Sequence, residues 1–367
     1  MEYVQERVAT LHRLGGFDPA TAPVAEAAVV VPMTDRDRGA PAAEAALSEL
    51  ERLSPARVFV PVRAPAERIG GFRKWLSGYD LPLSVLWCNA PAVEDLLAGA
   101  GLGDGFGKGR DVWLALGPAA DAGEYVVVHD ADATSYEASH VARLLSPLAT
   151  EAGFEFAKGY YARVEDGRLY GRLFRLCYEP LVRALSTESD APVLDYLDSF
   201  RYALAGEFAA TAEFAREIRA PPAWGLEVGT LGDAFAYAGF EGTVQVDLGR
   251  HVHDHRAVAG TEGLEGMSRE VVATLLRVAE EFGVDPDYES LPDRFRAEGR
   301  RLVAQYRADA AHNGLAYDPA SERDQVERYA GAIGPPGADR RLPAWSDAPF
   351  APERILEAAR TGGAGGT

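Results

Sequence analysis

Four short apolar runs in the first third of the chain constrain the fold more than any other feature. Apolar runs of this length, bounded by helical patterns, are typical of strands that are buried on both faces. Such alternation of strands and helices predicts an α/β fold, with a mostly parallel central sheet and helices on both faces. The predicted strands cover residues 27–32, 57–62, 83–88 and 125–129.

The same patterns divide the chain into four parts. We predict an N-terminal helix over residues 1–25 and the α/β domain over 26–260. A helical extension over 261–330 and a tail rich in Pro and Gly over 331–367 follow. Within the α/β domain, residues 207–218 have a helical pattern, and the helix predicted over 169–185 is interrupted by Pro180. The tail ends in TGGAGGT, which is typical of mobile termini.

Charge and cysteine content exclude several classes of protein. Lys and Arg number 37 against 56 Asp and Glu, a net charge of −19. This balance argues against binding to nucleic acid or to an anionic membrane surface. It fits either a salty cytoplasm or an acidic surface with no special role. Two cysteines, no signal-peptide pattern and no long apolar run predict a cytoplasmic location.

A predicted strand leads directly into two carboxylates, Asp130 and Asp132. In an extended chain the side chains of residues i and i+2 point to the same side, so these carboxylates repel each other unless a cation or hydroxyl groups lie between them. A divalent cation that also binds substrate phosphates suits such a site. The alternative is a solvated turn, but the position at the carboxyl end of a strand favours a ligand site.

Two further segments hold charged residues between glycines. Lys108 lies between Gly107 and Gly109 just before a predicted helix, where backbone N–H groups and an ammonium suit an anion. Glu227 lies in the apolar segment WGLEVG, where sugar hydroxyls would satisfy its carboxylate. The alternatives are a surface lysine at a helix entry and an acid that stabilises a helix N-terminus.

Histidines cluster after the last predicted strand, in the segment HVHDH at 251–255. Alternate residues there present two imidazoles to one metal ion or phosphate, although a polar loop has the same composition. Gly171 and Arg172 open a helix, where an arginine and the N–H groups of the helix N-terminus bind anions. A surface position for Arg172 is the alternative.

Taken in order, these segments resemble the glucosyl-3-phosphoglycerate and mannosyl-3-phosphoglycerate synthases of the retaining glycosyltransferase family 81. The resemblance implies a GT-A fold, a nucleoside diphosphate sugar donor such as UDP-glucose or GDP-mannose, and Mg²⁺ or Mn²⁺. It also implies a small phosphorylated or carboxylate acceptor, compatible-solute synthesis and a homodimer. The segments that carry it are 29–37, 107–116, 126–132, 157–163, 171–185, 204–210, 224–235, 245–256 and 266–276.

The resemblance also implies roles for individual residues. Asp132 and His253 would bind the metal, and Asp130 the nucleotide ribose; Glu227 would hold hydroxyls of the transferred sugar, and Lys108 would stabilise the leaving diphosphate. The remaining donor-binding residues would be Pro32, Met33, Asp35 and Ala131. Gly171, Arg172, His255 and the backbone of Leu204 would bind the acceptor.

The acceptor segment departs from the family pattern. Phe174 stands where a phosphate-binding threonine is expected, Ala205 replaces a glycine, and His255 replaces an asparagine. The acceptor is therefore either 3-phosphoglycerate or a small, less charged molecule. Two other functions stay open: a sugar-phosphate nucleotidylyltransferase, whose glycine-rich loop is missing after the first predicted strand, and a sugar-nucleotide-binding protein without catalysis.

Overall fold

The computed structural model describes residues 5–252 and 261–360, with the backbone alone for 261–264. The predicted apolar runs are strands, of which β2, β4 and β6 are almost completely buried and β5 is half-buried. The strands are β1 (Ala9–Leu11), β2 (Ala27–Val30), β3 (Met33–Thr34), β4 (Arg57–Arg63), β5 (Leu83–Trp87), β6 (Tyr125–Val128), β7 (Phe156–Ala162), β8 (Val164–Glu165), β9 (Arg168–Leu169), β10 (Phe208–Thr211) and β11 (Thr243–Arg250).

Nine of these strands form one mixed, mostly parallel sheet. Its order is β1-β11-β7-β10-β6-β2-β4, and both β3 and β5 pair with β4. Only β10 runs antiparallel, between β6 and β7. The remaining strands, β8 and β9, form a separate hairpin. This confirms the predicted sheet and brings the ends of β2, β4 and β6 to one edge, because these three strands are parallel.

Helices cover both faces of the sheet, and further helices follow it in the chain. None of the described helices is both long and apolar enough to cross a membrane. The helices are α1 (Pro41–Leu53), α2 (Ala66–Leu76), α3 (Pro91–Gly99), α4 (Lys108–Ala122), α5 (Ala138–Leu145), α6 (Glu179–Leu185), α7 (Pro192–Asp198), α8 (Ala212–Glu217), α9 (Leu226–Tyr237), α10 (Thr261–Glu281), α11 (Leu291–His312), α12 (Pro319–Ala330) and α13 (Pro352–Arg360).

Three local predictions are wrong in whole or in part. In place of a helix near the N-terminus, β1 pairs with the outer edge of β11. The helix predicted over 207–218 is present only as α8; residues 208–211 are strand β10 because pairing with β6 and β7 overrides the helix propensity of its alanines. Pro180 does not interrupt its helix: a π-helical turn at Phe174–Tyr178 lets the chain continue helically past a residue that has no N–H.

The tail rich in Pro and Gly is packed against the sheet domain as far as residue 360. Trp345 stacks on Trp113 with ring centroids 4.5 Å apart, and its Nε1 donates to the Trp113 carbonyl at 2.8 Å. Helix α13 packs against α3, α4 and β5. A few large apolar side chains therefore anchor the segment up to residue 360, whereas the TGGAGGT end for which mobility was predicted lies outside the described residues. The domain boundary predicted near residue 260 adjoins residues 253–260, which lie outside the described part, and stays a prediction.

Candidate active site

The centre of the candidate site is an ion-paired group of three side chains, Lys108, Asp130 and Glu227. The Lys108 Nζ lies 2.7 Å from Asp130 Oδ1 and 3.1 Å from Glu227 Oε1. All three side chains are 16–23% exposed, so the group is only partly shielded from solvent. Burial disfavours the charge of Lys108, but the two carboxylates outweigh it and raise its pKa above the ordinary value. The ammonium therefore stays charged at neutral pH.

Close backbone packing brings these residues together. Lys108 is the first residue of α4, and the N–H groups of Gly109 and Arg110 donate to the carbonyls of Ala223 and Pro222 at 3.1 and 2.8 Å. A Cβ on Gly109 would collide with the carbonyl of Pro221. The glycines around Lys108 thus serve close packing, and the prediction that these N–H groups bind an anion is wrong for the two that are paired.

Glu227 enters the site from the N-terminal end of α9. Gly225 precedes this helix with φ at +97°, a left-handed conformation that favours glycine. A Cβ there would also lie 2.5 Å from Thr274 Oγ1 in α10. The turn sets the start of α9, so that a carboxylate in its first turn faces the first residue of α4.

Asp132 lies beside a second acidic group at the ends of β3 and β6. Burial raises the pKa of Asp37, bonds from Thr34 oppose this, and the charges of Asp132 and Asp35 add to the rise. The Thr34 N–H and hydroxyl donate to Asp37 at 2.6 and 3.0 Å. Neighbouring carboxylate oxygens are the ligands that Mg²⁺ and Mn²⁺ prefer, so Asp132 fits a divalent cation.

No three acidic, histidine or cysteine side chains among the described residues are close enough to form a complete metal site. The predicted ligand His253 and the predicted acceptor residue His255 both lie outside the described residues. Of the histidine cluster, His251 is described: its ring is buried and stacks on Tyr161 with centroids 4.0 Å apart. A metal site at Asp132 therefore stays a prediction.

The residues predicted to border the nucleotide lie at the ends of β2 and β6. Pro32 follows β2 and is half-buried, and Met33 is buried within β3. Asp35 follows β3 and forms an ion pair with Arg68 of α2. Ala131 is 5% exposed and packs in the core between the two predicted aspartates. All four thus lie near the sheet edge that carries Asp130, where parallel sheets bind ligands.

Of the predicted acceptor residues, Gly171 and Leu204 lie near Tyr202. A Cβ on Gly171 would lie 3.1 Å from the Tyr202 hydroxyl, and Tyr202 is two residues before Leu204. Phe174 is 8% exposed and packs on Tyr202 with centroids 5.1 Å apart. The Arg172 Nε donates to Glu322 Oε1 of α12 at 2.9 Å. The ring of Phe174 is therefore part of a buried aromatic cluster under the predicted acceptor segment.

The sequence did not identify Lys158 as a functional residue, although it lies next to the active centre. Lys158 is 1% exposed within β7, and its Nζ donates to the carbonyl of Ala205. Burial lowers its pKa to about 8, although the carboxylates of Glu227 and Glu207 oppose that shift. The sequence does contain a signal for Lys158, which is a charged residue inside an otherwise apolar strand. A buried lysine requires hydrogen-bond acceptors and opposite charge nearby, so such a residue marks a polar site.

We next compared the chain with known proteins. No family model matches it. It is 36% identical over 310 residues to the glucosyl-3-phosphoglycerate synthase of Methanococcoides burtonii, covering 78% of this chain and 77% of that protein. The chain belongs to the glucosyl-3-phosphoglycerate synthase family. It is also 38% identical over 285 residues to the Persephonella marina glucosyl-3-phosphoglycerate synthase, covering 74% of this chain and 70% of that one.

A solved structure of this synthase family has the same fold. The Mycobacterium tuberculosis glucosyl-3-phosphoglycerate synthase, in complex with Mn²⁺, UDP-glucose and phosphoglyceric acid, matches with a TM-score of 0.56 and 25% identity. The match covers 76% of this chain and 89% of that chain. The family resemblance, the GT-A fold and the class of hexosyltransferase are therefore confirmed. The roles of individual residues stay predictions.

Proposed function

We propose that this family member transfers glucose from UDP-glucose to 3-phosphoglycerate, with Mn²⁺ or Mg²⁺ as cofactor and retention at the anomeric carbon. The observation that carries the proposal is the pairing of Lys108 with Asp130 and Glu227, beside Asp132 at the carboxyl edge of the sheet. The donor, acceptor and metal that its relatives' names and complexes print support the same assignment.

In this proposal Asp132 holds the metal with His253, and Asp130 binds the ribose. The bound metal supplies a Lewis acid that offsets negative charge on the leaving diphosphate. Lys108 adds a fixed positive charge at the same place, and its paired carboxylates keep it protonated. Pro32, Met33, Asp35 and Ala131 border the base and ribose.

Glu227 positions the transferred sugar by accepting hydrogen bonds from its hydroxyls. Because Glu227 is held by Lys108, we assign it to binding rather than to nucleophilic attack. The acceptor hydroxyl then attacks from the face of the leaving diphosphate, and a diphosphate oxygen takes its proton. The bond from the anomeric carbon to the acceptor oxygen forms as the bond to the diphosphate breaks. Gly171, Arg172, the Leu204 backbone and His255 bind the acceptor.

The test is release of UDP from UDP-glucose in the presence of MnCl₂. We expect 3-phosphoglycerate to stimulate this release and to yield an α-linked glucoside, observed by NMR. Glycerol 3-phosphate, D-glycerate and GDP-mannose in parallel reactions define the acceptor and the donor. Metal-dependent binding of UDP-glucose without acceptor-stimulated release would contradict the proposal and favour a protein that binds sugar nucleotides without catalysis.

We further propose that the enzyme is a cytoplasmic homodimer. Both cysteines, Cys88 and Cys177, are buried thiols, which suits a reducing compartment. The family resemblance supports the dimer. Light scattering during gel filtration measures the mass in solution, and a value equal to the 39.4 kDa of one chain would contradict the dimer.

A further inference from the structure

Helix α12 contributes a buried carboxylate, Glu322, that binds two arginines of the acceptor segment. Its side chain is 4% exposed. Glu322 Oε1 accepts from Arg172 Nε at 2.9 Å, and Glu322 Oε2 accepts from Arg175 Nη1 at 2.8 Å. Glu322 also lies in the first turn of α12, where the helix dipole favours a negative charge. One carboxylate between two guanidinium groups leaves a net positive charge.

The two arginines differ in what else surrounds them. The Arg175 side chain is 7% exposed: its Nε donates to the Tyr170 carbonyl at 3.0 Å, and its guanidinium lies 4.7 Å from the Tyr306 ring centroid. The Arg172 side chain is 45% exposed, and Nε is the donor that Glu322 holds. Arg175 is therefore a structural partner of Glu322, whereas nearly half of the Arg172 side chain is exposed to solvent.

Arg172 also lies at the acceptor side of the site, directly after Gly171, where an added Cβ would lie 3.1 Å from the Tyr202 hydroxyl. We propose that Glu322 is a positioning residue of the acceptor site, holding Arg172 by Nε so that its Nη groups face the phosphate of the acceptor. This inference rests on the proposed function. The helical extension is then part of acceptor recognition, because Glu322 of α12 follows Arg172 by 150 residues in the sequence and still binds it.

The substitution E322Q distinguishes the contributions of the two arginines. Glutamine offers a single carbonyl acceptor, and its amide N–H₂ group faces N–H donors. Buried Arg175 retains the remaining acceptor because it has less access to water, so exposed Arg172 loses its anchor. We expect the KM for 3-phosphoglycerate to rise about ten-fold, as for the loss of one charge-assisted hydrogen bond. The kcat and the KM for UDP-glucose are expected to change less than about two-fold.

The matched control is E327Q in the same helix. Glu327 is 49% exposed and pairs with Arg296 and Arg300, away from the acceptor segment. We expect it to leave all kinetic constants unchanged. A double-mutant cycle with R172A then tests whether Glu322 acts through Arg172: E322Q should raise the KM for 3-phosphoglycerate in the wild type and have no further effect in R172A.

An E322Q enzyme with an unchanged or lowered KM for 3-phosphoglycerate overturns the proposal, and so does an equal effect of E322Q in the R172A background. If E322Q does not fold, R172K replaces it, because lysine keeps the charge but has no Nε for Glu322. An unchanged KM for 3-phosphoglycerate in R172K then overturns the proposal. Absence of acceptor-stimulated UDP release in the wild type contradicts the proposed function instead, so the two failures are distinguishable.

Discussion

The donor side and the acceptor side of the candidate site are built in different ways. On the donor side, Lys108 is held between Asp130 and Glu227, and each of the three residues lies at the end of a strand or the start of a helix. On the acceptor side, the exposed Arg172 is held by Glu322, and a buried ring, Phe174, lies where the family pattern predicts a hydroxyl. The donor side depends on the sheet, whereas the acceptor side depends on the helical extension.

This difference indicates where each half of the reaction is sensitive to change. In the proposed mechanism the donor-side charges lie where negative charge develops on the leaving diphosphate, so we expect their loss to affect the transition state. The acceptor-side contacts orient one arginine and fill an aromatic cluster, so their loss affects binding and stability. We therefore expect donor-side substitutions to lower kcat and acceptor-side substitutions to change KM or the free energy of unfolding.

The largest effect is expected for D132A. If Asp132 holds the metal, its loss should lower the rate of UDP release about 1000-fold or more, because the diphosphate then lacks its Lewis acid. The measurement is the rate across a MnCl₂ titration, with D104A in an exposed loop as the control. Activity that survives both D132A and full chelation would remove the metal from the mechanism.

The substitution E227Q is expected to have the next largest effect. It removes the negative charge that faces Lys108 and the sugar, and we expect kcat to fall about 100-fold. The affinity for UDP, measured by calorimetry, should stay within about two-fold because UDP lacks the transferred glucose that Glu227 is proposed to bind. Full turnover in E227Q would show that Glu227 does not position the sugar.

Lys158 donates to Ala205 on the acceptor side and also interacts with the charges of Glu227 and Asp130 on the donor side. The substitution K158M tests its contribution to activity. Loss of the bond to the Ala205 carbonyl should disturb the neighbouring Leu204, and loss of the positive charge near Glu227 and Asp130 should lower kcat about ten-fold. Since the lysine carries its charge only below its pKa of about 8, the wild-type kcat should fall as the pH rises through that value. The pH profile of K158M should lack this fall, whereas K74M, an exposed lysine, should keep it. A fall that persists in K158M would assign the titration to another group.

The smallest effect on activity is expected for F174T. Removing a ring that packs on Tyr178 and Tyr202 should lower the free energy of unfolding by about 3 kcal/mol, as for other buried phenylalanines. The KM for 3-phosphoglycerate should change less than about three-fold. Urea unfolding and acceptor titration measure the two quantities. A KM that falls ten-fold would instead show that the ring obstructs the phosphate.

The parts of the fold that depend on local pattern were predictable. The strands β2, β4, β5 and β6 follow from apolar runs, because strands covered on both faces contain few polar residues. The position of Asp130 and Asp132 after β6 followed from the same pattern. The helix predicted over 207–218 is found only as α8, because the alanines before it favour a helix in isolation but pair with β6 and β7 as strand β10.

The sequence by itself determined the family, the α/β architecture and the acidic edge of the sheet, because short-range periodicity and ordered motifs carry that information. Tertiary structure alone decided the partners of the charges: Lys108 with Glu227 across 119 residues, and Arg172 with Glu322 across 150. Buried charges are stable only beside opposite charges or hydrogen-bond partners. Which distant segments supply those partners depends on the packing of the whole chain, and no local pattern specifies it.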